Sequence, residues 1–296
     1  MRALAAYLLR GPWQAMGVSA GSAFLSLLFP PLSYVSGAAV ALVTLTQDTR
    51  ASLQVIVGSA LIITLLDGIV LGNPWLGGLL VLILWGPLWM LAKVLQHTAS
   101  LALTLEAAVA MAILGMAGLY LWLGNPELWW RPFLDNLRPL LEPLEGTSGQ
   151  ALDILAPVMT GILGAGWLIS LILSLFLARW WQSLLYRPSG FRREFHRLRL
   201  GRGMAVATLA LLAMALWGTG MPGAFARDAM MAMLVAYLLA GLALIHDASA
   251  RFRLHWGWLA LVYGGLLIEP ALLVPLLAML GWVDSGFDIR RHLPAP

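Results

Sequence analysis

The sequence predicts an all-α, polytopic membrane protein: a transmembrane bundle of eight or nine apolar helical segments within a single membrane domain, residues 1–296. Sixty per cent of its 296 residues are hydrophobic and only 11% are charged, and the mean hydropathy is +0.84. Several uncharged runs reach the ~20 residues that a helix needs to cross ~30 Å of hydrocarbon. Runs of this length are typical of helices rather than of period-two barrel strands.

The orientation is set by the stretch Arg179–Arg202, called the basic loop below. It holds seven arginines and one acid, Glu194, between two long apolar runs. Short loops rich in Lys and Arg stay on the cytoplasmic side of a bilayer. We therefore expect a multi-pass protein of the bacterial inner membrane, with six crossings before this loop and a cytoplasmic N-terminus.

The apolar segments are separated by Pro, Gly and charged residues. They run from Trp13 to Phe29, Leu32 to Thr46, Leu53 to Leu71, Trp75 to Ala92, Ser100 to Leu123, Ile154 to Leu177, Met204 to Met221, Ala229 to Ile245 and Trp256 to Trp282. A ninth full crossing leaves Arg290 and Arg291 outside. Three alternatives stay open: two outer arginines are tolerated, the last segment bends at Pro270 and Pro275, or the short second segment does not cross.

The longest polar connection, Asn125 to Asp153, carries five acids and two arginines. Its apolar residues recur at intervals of three and four, the period of an amphipathic helix. We expect it to lie flat at the outer interface, with Trp129 and Trp130 at headgroup depth. Three prolines, Pro132, Pro139 and Pro143, predict short broken turns rather than one smooth helix.

Three acids fall inside apolar segments: Asp67, Glu106 and Glu269. A charged group in hydrocarbon costs ~2.5–3.5 kcal/mol on insertion scales, so such groups commonly mark ligand or ion paths. We take these three as candidate ligand-binding residues. The alternative is that each is hydrogen-bonded to a neighbouring helix or lies within reach of the interface.

Nothing in the sequence indicates catalysis. The chain has no cysteine, no zinc-binding His-Glu-x-x-His helix, no phosphate-binding glycine loop and no nucleophile elbow. His246, Asp247, Arg251 and His255 cluster, but a solvated cytoplasmic helix end explains them as well as a metal or acid–base site does. We therefore predict no enzyme, no catalytic residue, no metal and no cofactor.

Small residues on the first segment predict close helix packing. Ala15, Ser19 and Ala23 repeat every four residues, and Gly17 and Gly21 form a second row. No side chain holds the helix surfaces apart at such rows, so another backbone can approach. The partner is either a helix of the same chain or a second subunit.

The basic loop has several interpretations beyond topology. Arg192, Arg193, Arg197 and Arg199 are suited to attracting anionic headgroups, at ~1 kcal/mol for each basic residue near the surface. They are also suited to docking a cytoplasmic partner or RNA. The positive charge is gathered at helix ends, however, whereas a nucleic-acid binder spreads it over a face. Nucleic acid is therefore the less favoured partner.

The C-terminal string GWVDSGFDIRRHLP, after an apolar helix carrying Glu269-Pro270, resembles the ending of the YybS-like family of uncharacterised bacterial membrane proteins. The Pro30-Pro31 break and the turn LTQDTRASL, residues 45–53, look similar to that family as well. The family is thought to be distantly akin to the S-components of energy-coupling factor transporters. The resemblance implies a helical bundle that binds a small ligand and docks a membrane coupling subunit. S-components dock through a small-residue row on the first helix, where Ala15, Ser19 and Ala23 stand here.

The leading hypothesis is a non-enzymatic, transport-related subunit that binds a small molecule or lipid between its helices and has no ATPase of its own. The rival is a membrane scaffold that acts through the basic loop and the small-residue faces. An enzyme acting on lipid comes third, because Glu269 lies near mid-membrane whereas the histidines lie at helix ends.

Overall fold

The computed structural model describes residues 1–145 and 148–292, which consist of helices and short loops without a strand. The all-α fold class is confirmed. Six helical stretches of this part of the chain are long and apolar enough to cross a membrane: Thr49–Leu71, Trp75–Thr98, Leu101–Leu123, Leu152–Tyr186, Gly220–Arg251 and Pro270–Phe287. Three further apolar helices are shorter. These helices fit a multi-pass membrane protein, while a total of eight or nine crossings stays a prediction.

The α-helices follow one another with few long connections. They are α1 Arg2–Leu8, α2 Pro12–Leu25, α3 Leu32–Thr46, α4 Thr49–Leu71, α5 Trp75–Leu80, α6 Gly86–Thr98, α7 Leu101–Leu123, α8 Pro126–Glu145, α9 Ser148–Leu155, α10 Met159–Tyr186, α11 Gly190–His196, α12 Arg202–Trp217, α13 Gly220–Arg251, α14 Gly257–Ile268 and α15 Pro270–Phe287. A π-helical turn, Val81–Trp85, joins α5 to α6, and 3-10 turns cover Ala156–Val158 and Ile289–His292.

The chain divides into two compact units. The first unit comprises Met1–Ala108 and Ile169–Arg197, and the second comprises Val109–Leu168 and Leu198–Pro296. The boundaries fall inside α7 and α10, so each of these long helices belongs partly to both units.

Helix α3 is enclosed within the first unit, because Ser36–Leu45 are all buried. Small residues make this possible: a Cβ on Gly37 would lie 2.7 Å from the hydroxyl of Ser174 on α10. The hydroxyl of Ser36 donates to the backbone carbonyl of Ser19 on α2 over 2.8 Å. A helix packed on all sides by protein needs no broad leucine face toward lipid, and α3 is accordingly rich in Ala, Gly and Ser.

In the second unit, the backbones of α13 and α15 touch. A Cβ on Gly241 would collide with the carbonyl of Leu277, and one on Gly281 with the carbonyl of Tyr237. Glycine at both positions lets the two helices approach closely, which strengthens van der Waals packing between helices in lipid.

The last apolar segment is not one helix but two, α14 and α15. Glu269 between them is non-helical, with φ −134° and ψ 63°, and Pro270 cannot continue α14 because it has no backbone N–H. The chain turns so sharply that a Cβ on Gly265 would lie 2.5 Å from the side chain of Leu273. With 12 residues α14 is about 18 Å long, too short to cross ~30 Å of hydrocarbon by itself.

The chain after α15 returns to the start of α12. Arg290 donates to the backbone carbonyl of Leu198 over 2.6 Å, and Arg199 pairs with Asp288 at 3.0 Å. The indole of Trp282 donates to the carbonyl of Ala205. The C-terminal arginines therefore lie on the same side as residues 198–202 of the basic loop. Of the three alternatives for the last segment, the structure favours the bend, at Glu269-Pro270.

The predicted interfacial stretch 125–153 contains one long helix, α8, and the expectation of short broken turns was wrong. Pro132 and Pro139 are both exposed. They stand seven residues apart, so they share one exposed face of a single helix, Pro126–Glu145. Residues 146 and 147 of this stretch lie outside the described part of the chain. Its location at a membrane interface stays a prediction.

Candidate functional site

An apolar cavity of about 420 Å³ lies between α12, α13 and α15 in the second unit. Its wall consists of Thr208, Leu209 and Leu212 from α12, Met230, Met231, Met233, Leu234 and Tyr237 from α13, and Pro275, Ala278, Met279 and Trp282 from α15. Cavities of this size and character, with an apolar wall and few polar groups, are typical of small-molecule sites.

Four methionines make this wall adaptable. The side chains of Met230, Met231, Met233 and Met279 are unbranched and polarisable, so they adjust to ligands of different shape. The polar groups on the wall are few, and two of them face each other: the hydroxyls of Thr208 and Tyr237 are 3.3 Å apart. Such a wall suits a largely hydrophobic molecule with at most one or two hydrogen-bonding groups.

Beside this cavity, Asp228 of α13 is buried and 1% exposed. The hydroxyl of Tyr120 on α7 donates to its Oδ2 atom over 2.6 Å, whereas Oδ1 has no hydrogen-bond partner within ordinary geometric limits among the described residues. A buried carboxyl group that receives only one hydrogen bond from a side chain is costly in an apolar helix. Asp228 is therefore a buried acid whose carboxyl group depends on Tyr120 for its side-chain hydrogen bond.

The approach of α10 to α13 brings Asp228 next to the cavity wall. A Cβ on Gly161 would lie 2.8 Å from both the Oδ1 atom of Asp228 and the sulfur of Met231. Gly161 thus lets α10 approach both Asp228 and Met231, and Met231 also lines the cavity.

Asp228 is not among the residues predicted from the sequence, because the predicted apolar segments end at Met221 and resume at Ala229, which leaves Arg227 and Asp228 between them. The structure starts α13 at Gly220, so both charged residues lie well inside the helix. The dipeptide Pro222-Gly223 is a turn signal, but both residues lie in the first turn of α13, where proline is tolerated.

The three acids predicted as ligand-binding residues have different surroundings. Asp67 is 4% exposed at the end of α4, and its Oδ1 atom has no hydrogen-bond partner in the described structure. Glu106 is half-buried in α7. Glu269 is exposed at the break between α14 and α15. None of the three contributes to the wall of the 420 Å³ cavity, so their role as ligand-binding residues stays a prediction.

The arginines of the basic loop differ in their partners. Arg179 binds Glu194 through two hydrogen bonds, of 2.8 and 2.7 Å. Arg199 pairs with Asp288, as described above. The other three arginines named as a headgroup or partner surface, Arg192, Arg193 and Arg197, are exposed.

The residues of the histidine cluster noted at the end of α13 make local contacts with their neighbours. Asp247 pairs with Arg251 at 2.9 Å, and His246 lies 2.9 Å from the hydroxyl of Tyr263. No group of three or more metal-binding side chains occurs among the residues that the structure describes. These contacts are those of a helix end packed on its neighbour.

The small-residue row on α2 faces the rest of the first unit. Ala15, Ser19 and Ala23 are all buried, and the carbonyl of Ser19 accepts the hydrogen bond from α3. On the second row, a Cβ at Gly17 or Gly21 would have no heavy atom within 4 Å. The surface of α2 that is still open to another helix is therefore the glycine row.

Comparison of the chain with family models, with curated proteins and with solved structures yields no match. The resemblance to the YybS-like family and to S-components is therefore untested, and so is every role that it implies.

Proposed function

We propose that this protein is a non-enzymatic integral membrane protein that binds a small apolar molecule or a lipid between α12, α13 and α15. The observation that carries the proposal is the cavity of about 420 Å³, whose wall is apolar and rich in methionine. A transport-related role, as the resemblance to S-components implies, is part of the proposal. A membrane coupling subunit would then supply the energy, because the sequence has no phosphate-binding glycine loop.

The proposed location is the inner membrane of a bacterium, with the basic loop and the N-terminus in the cytoplasm. The positive-inside rule supports this orientation. Contact between Arg290 and Leu198 supports it further, because it puts the C-terminal arginines on the side of the basic loop. In this orientation α8 lies on the outer surface, where Trp129 and Trp130 suit the headgroup region.

Two tryptophan substitutions one helical turn apart test the ligand site. Leu212 lines the cavity, whereas Leu216 on the same helix is 66% exposed and does not. We expect the purified wild-type chain and Leu216→Trp to carry a co-purifying lipid or small molecule, detected by mass spectrometry after extraction. Leu212→Trp fills the cavity and loses that molecule.

The unfolding temperature of both variants is measured in the same detergent, so that loss of the ligand is separated from loss of the fold. A wild-type chain that carries no molecule, or a Leu212→Trp variant that carries as much as the wild type, contradicts the proposal.

A membrane scaffold is the second candidate, favoured by the exposure of Arg192, Arg193 and Arg197. Replacing these three by Gln separates the two functions. Arg199 is left unchanged, because its ion pair with Asp288 belongs to the packing of the second unit. A scaffold loses its co-purifying protein partner in this variant and keeps any bound small molecule. A ligand-binding subunit keeps both its small molecule and any co-purifying protein in this variant.

A further inference from the structure

A polar cavity of about 310 Å³ lies in the first unit, where α10 ends and α11 begins. Its wall includes Arg179, Ser183, Tyr186, Arg187, Phe191 and Glu194. It differs from the apolar cavity of the second unit in having two guanidinium groups and two hydroxyl groups on its wall. Its ligand must therefore be polar and of complementary charge.

The charge of this cavity is positive. Both oxygens of Glu194 receive hydrogen bonds from Arg179, so these two residues largely neutralise each other. The second guanidinium, that of Arg187, is exposed, and no ion pair joins it to an acid in the described part of the chain. One unneutralised arginine therefore faces the cavity, and Arg192, Arg193 and Arg197 add positive charge nearby.

The wall of the cavity is held in place before any ligand arrives. The side chain of Gln182 accepts a hydrogen bond from Arg179 and donates one to the carbonyl of Leu45 on α3. On the opposite side, the rings of Phe176, Phe191 and Phe195 pack together with centroid separations of 5.6–6.0 Å and hold α11 against α10. These contacts fix Arg179, Glu194 and the backbone of α11, so the cavity that Arg187 borders is already formed before a ligand binds.

The cavity lies where a headgroup layer is expected. Helix α10 belongs to a stretch long and apolar enough to span a bilayer, and it ends at Tyr186. Tyr186 is 62% exposed and Trp180, six residues before it on the same helix, is 36% exposed. Aromatic residues with one polar atom collect at the membrane–water boundary. A lipid phosphate at this depth is within reach of Arg187.

We infer that this cavity binds the phosphate group of an anionic membrane lipid, with Arg187 as the principal contact. Guanidinium binds phosphate through two parallel hydrogen bonds, which add both binding energy and geometric specificity. Tyr186 supplies a hydroxyl group for a remaining phosphate oxygen. The hydroxyl of Ser183 donates to the backbone carbonyl of Arg187 over 3.2 Å, so it serves as an acceptor for a headgroup hydroxyl. This inference concerns the first unit and does not depend on the ligand proposed for the second.

The test compares one arginine in the cavity with two outside it. The full chain, and the variants Arg187→Gln and Arg192→Gln/Arg193→Gln, are purified in detergent and mixed with phosphatidylglycerol or phosphatidylcholine. The bound lipid is counted by native mass spectrometry. Diffuse attraction loses about fivefold in affinity for each arginine removed, so the double variant would lose more than the single one. A specific site predicts the reverse. The affinity of Arg187→Gln for phosphatidylglycerol falls about tenfold or more, and that of Arg192→Gln/Arg193→Gln falls less.

Two further measurements make the result decisive. Arg187→Lys keeps the charge and the stem but not the planar fork, and we expect it to bind phosphatidylglycerol at an intermediate level. Inorganic phosphate at millimolar concentration is expected to displace only part of the lipid. If phosphate alone binds and phosphatidylglycerol does not, the lipid source is wrong. If the double variant loses more lipid than Arg187→Gln, there is no specific site in this cavity.

Discussion

Tyr120 and Asp228 stand 108 residues apart in the chain and are joined by a hydrogen bond of 2.6 Å in the second unit. Both belong to helices apolar enough to cross a membrane, α7 and α13. Water does not replace a lost partner in such surroundings. The bond therefore fixes the second half of α7 to α13 and supplies the single hydrogen bond that the Asp228 carboxyl group receives from a side chain.

Removal of the Tyr120 hydroxyl is expected to destabilise the protein. Tyr120→Phe leaves the carboxyl group of Asp228 without its donor, at a cost of about 1–3 kcal/mol. The measurement is the unfolding temperature in detergent. Tyr7→Phe is the control, because that hydroxyl is on an exposed residue outside both proposed sites. Tyr120→Phe/Asp228→Asn is expected to cost less than the sum of the two single changes, and strict additivity would mean that the bond does not contribute.

A methyl group at the crossing of α13 and α15 is expected to push the two helices apart. Gly241→Ala collides with the carbonyl of Leu277, and overpacking of this kind costs about 1–3 kcal/mol. Gly286→Ala on α15 is the control, since a Cβ there has no heavy atom within 4 Å. The control is expected to unfold at the same temperature as the wild type or slightly above it, because alanine favours a helix by about 0.5–1 kcal/mol. Equal unfolding temperatures for the two variants would argue against the close crossing.

The two neighbouring arginines near the C-terminus are expected to behave differently. Arg290 pairs at 2.8 Å with Asp284, whose side chain is 1% exposed, whereas the side chain of Arg291 is 76% exposed. Arg290→Ala leaves a buried carboxylate without its partner, which costs about 3–5 kcal/mol. Arg291→Ala removes a surface pair worth about 0–1 kcal/mol. Denaturation of the two purified variants checks this difference, and a larger effect of Arg291→Ala would refute it.

The proposed topology is open to labelling, because the chain contains no cysteine of its own. Single cysteines replace Asn125, between α7 and α8, Ser189, between α10 and α11, and Arg291. In sealed inverted vesicles, a membrane-impermeant thiol reagent is expected to modify positions 189 and 291 but not position 125. In intact cells the pattern is reversed. Modification of positions 189 and 291 from opposite sides would disprove the turn at Glu269-Pro270.

Composition and periodicity were sufficient to predict the helical class, because the length of an apolar run decides whether it spans a bilayer. For the last segment they left three alternatives open, one of which was a bend at Pro270 and Pro275; the structure has the break at Glu269-Pro270, whereas Pro275 lies inside α15. The direction of the chain after that break depends on contacts far apart in sequence, such as Arg290 with Leu198, which no local pattern contains.

The candidate sites were harder to predict than the fold. An acid in an apolar run is visible in the sequence, as Asp67, Glu106 and Glu269 are. Asp228 was hidden beside Arg227, because a pair of charges usually ends a span. The 420 Å³ cavity arises from the way three helices pack, and its methionines resemble ordinary core residues until their neighbours are known. The prolines of α8 favour broken turns by local propensity, yet the structure has one helix there, with Pro132 and Pro139 on an exposed face.

The enclosure of α3 has a consequence for biosynthesis. Gln182, whose side chain bonds the carbonyl of Leu45 at the end of α3, is made 137 residues after it. At about 5–20 residues per second, the ribosome needs roughly 7–27 s to reach that point. During this interval the small and polar residues of α3 lack part of their final covering, and the nascent helix must be sheltered by the insertion machinery or by its earlier neighbour α2.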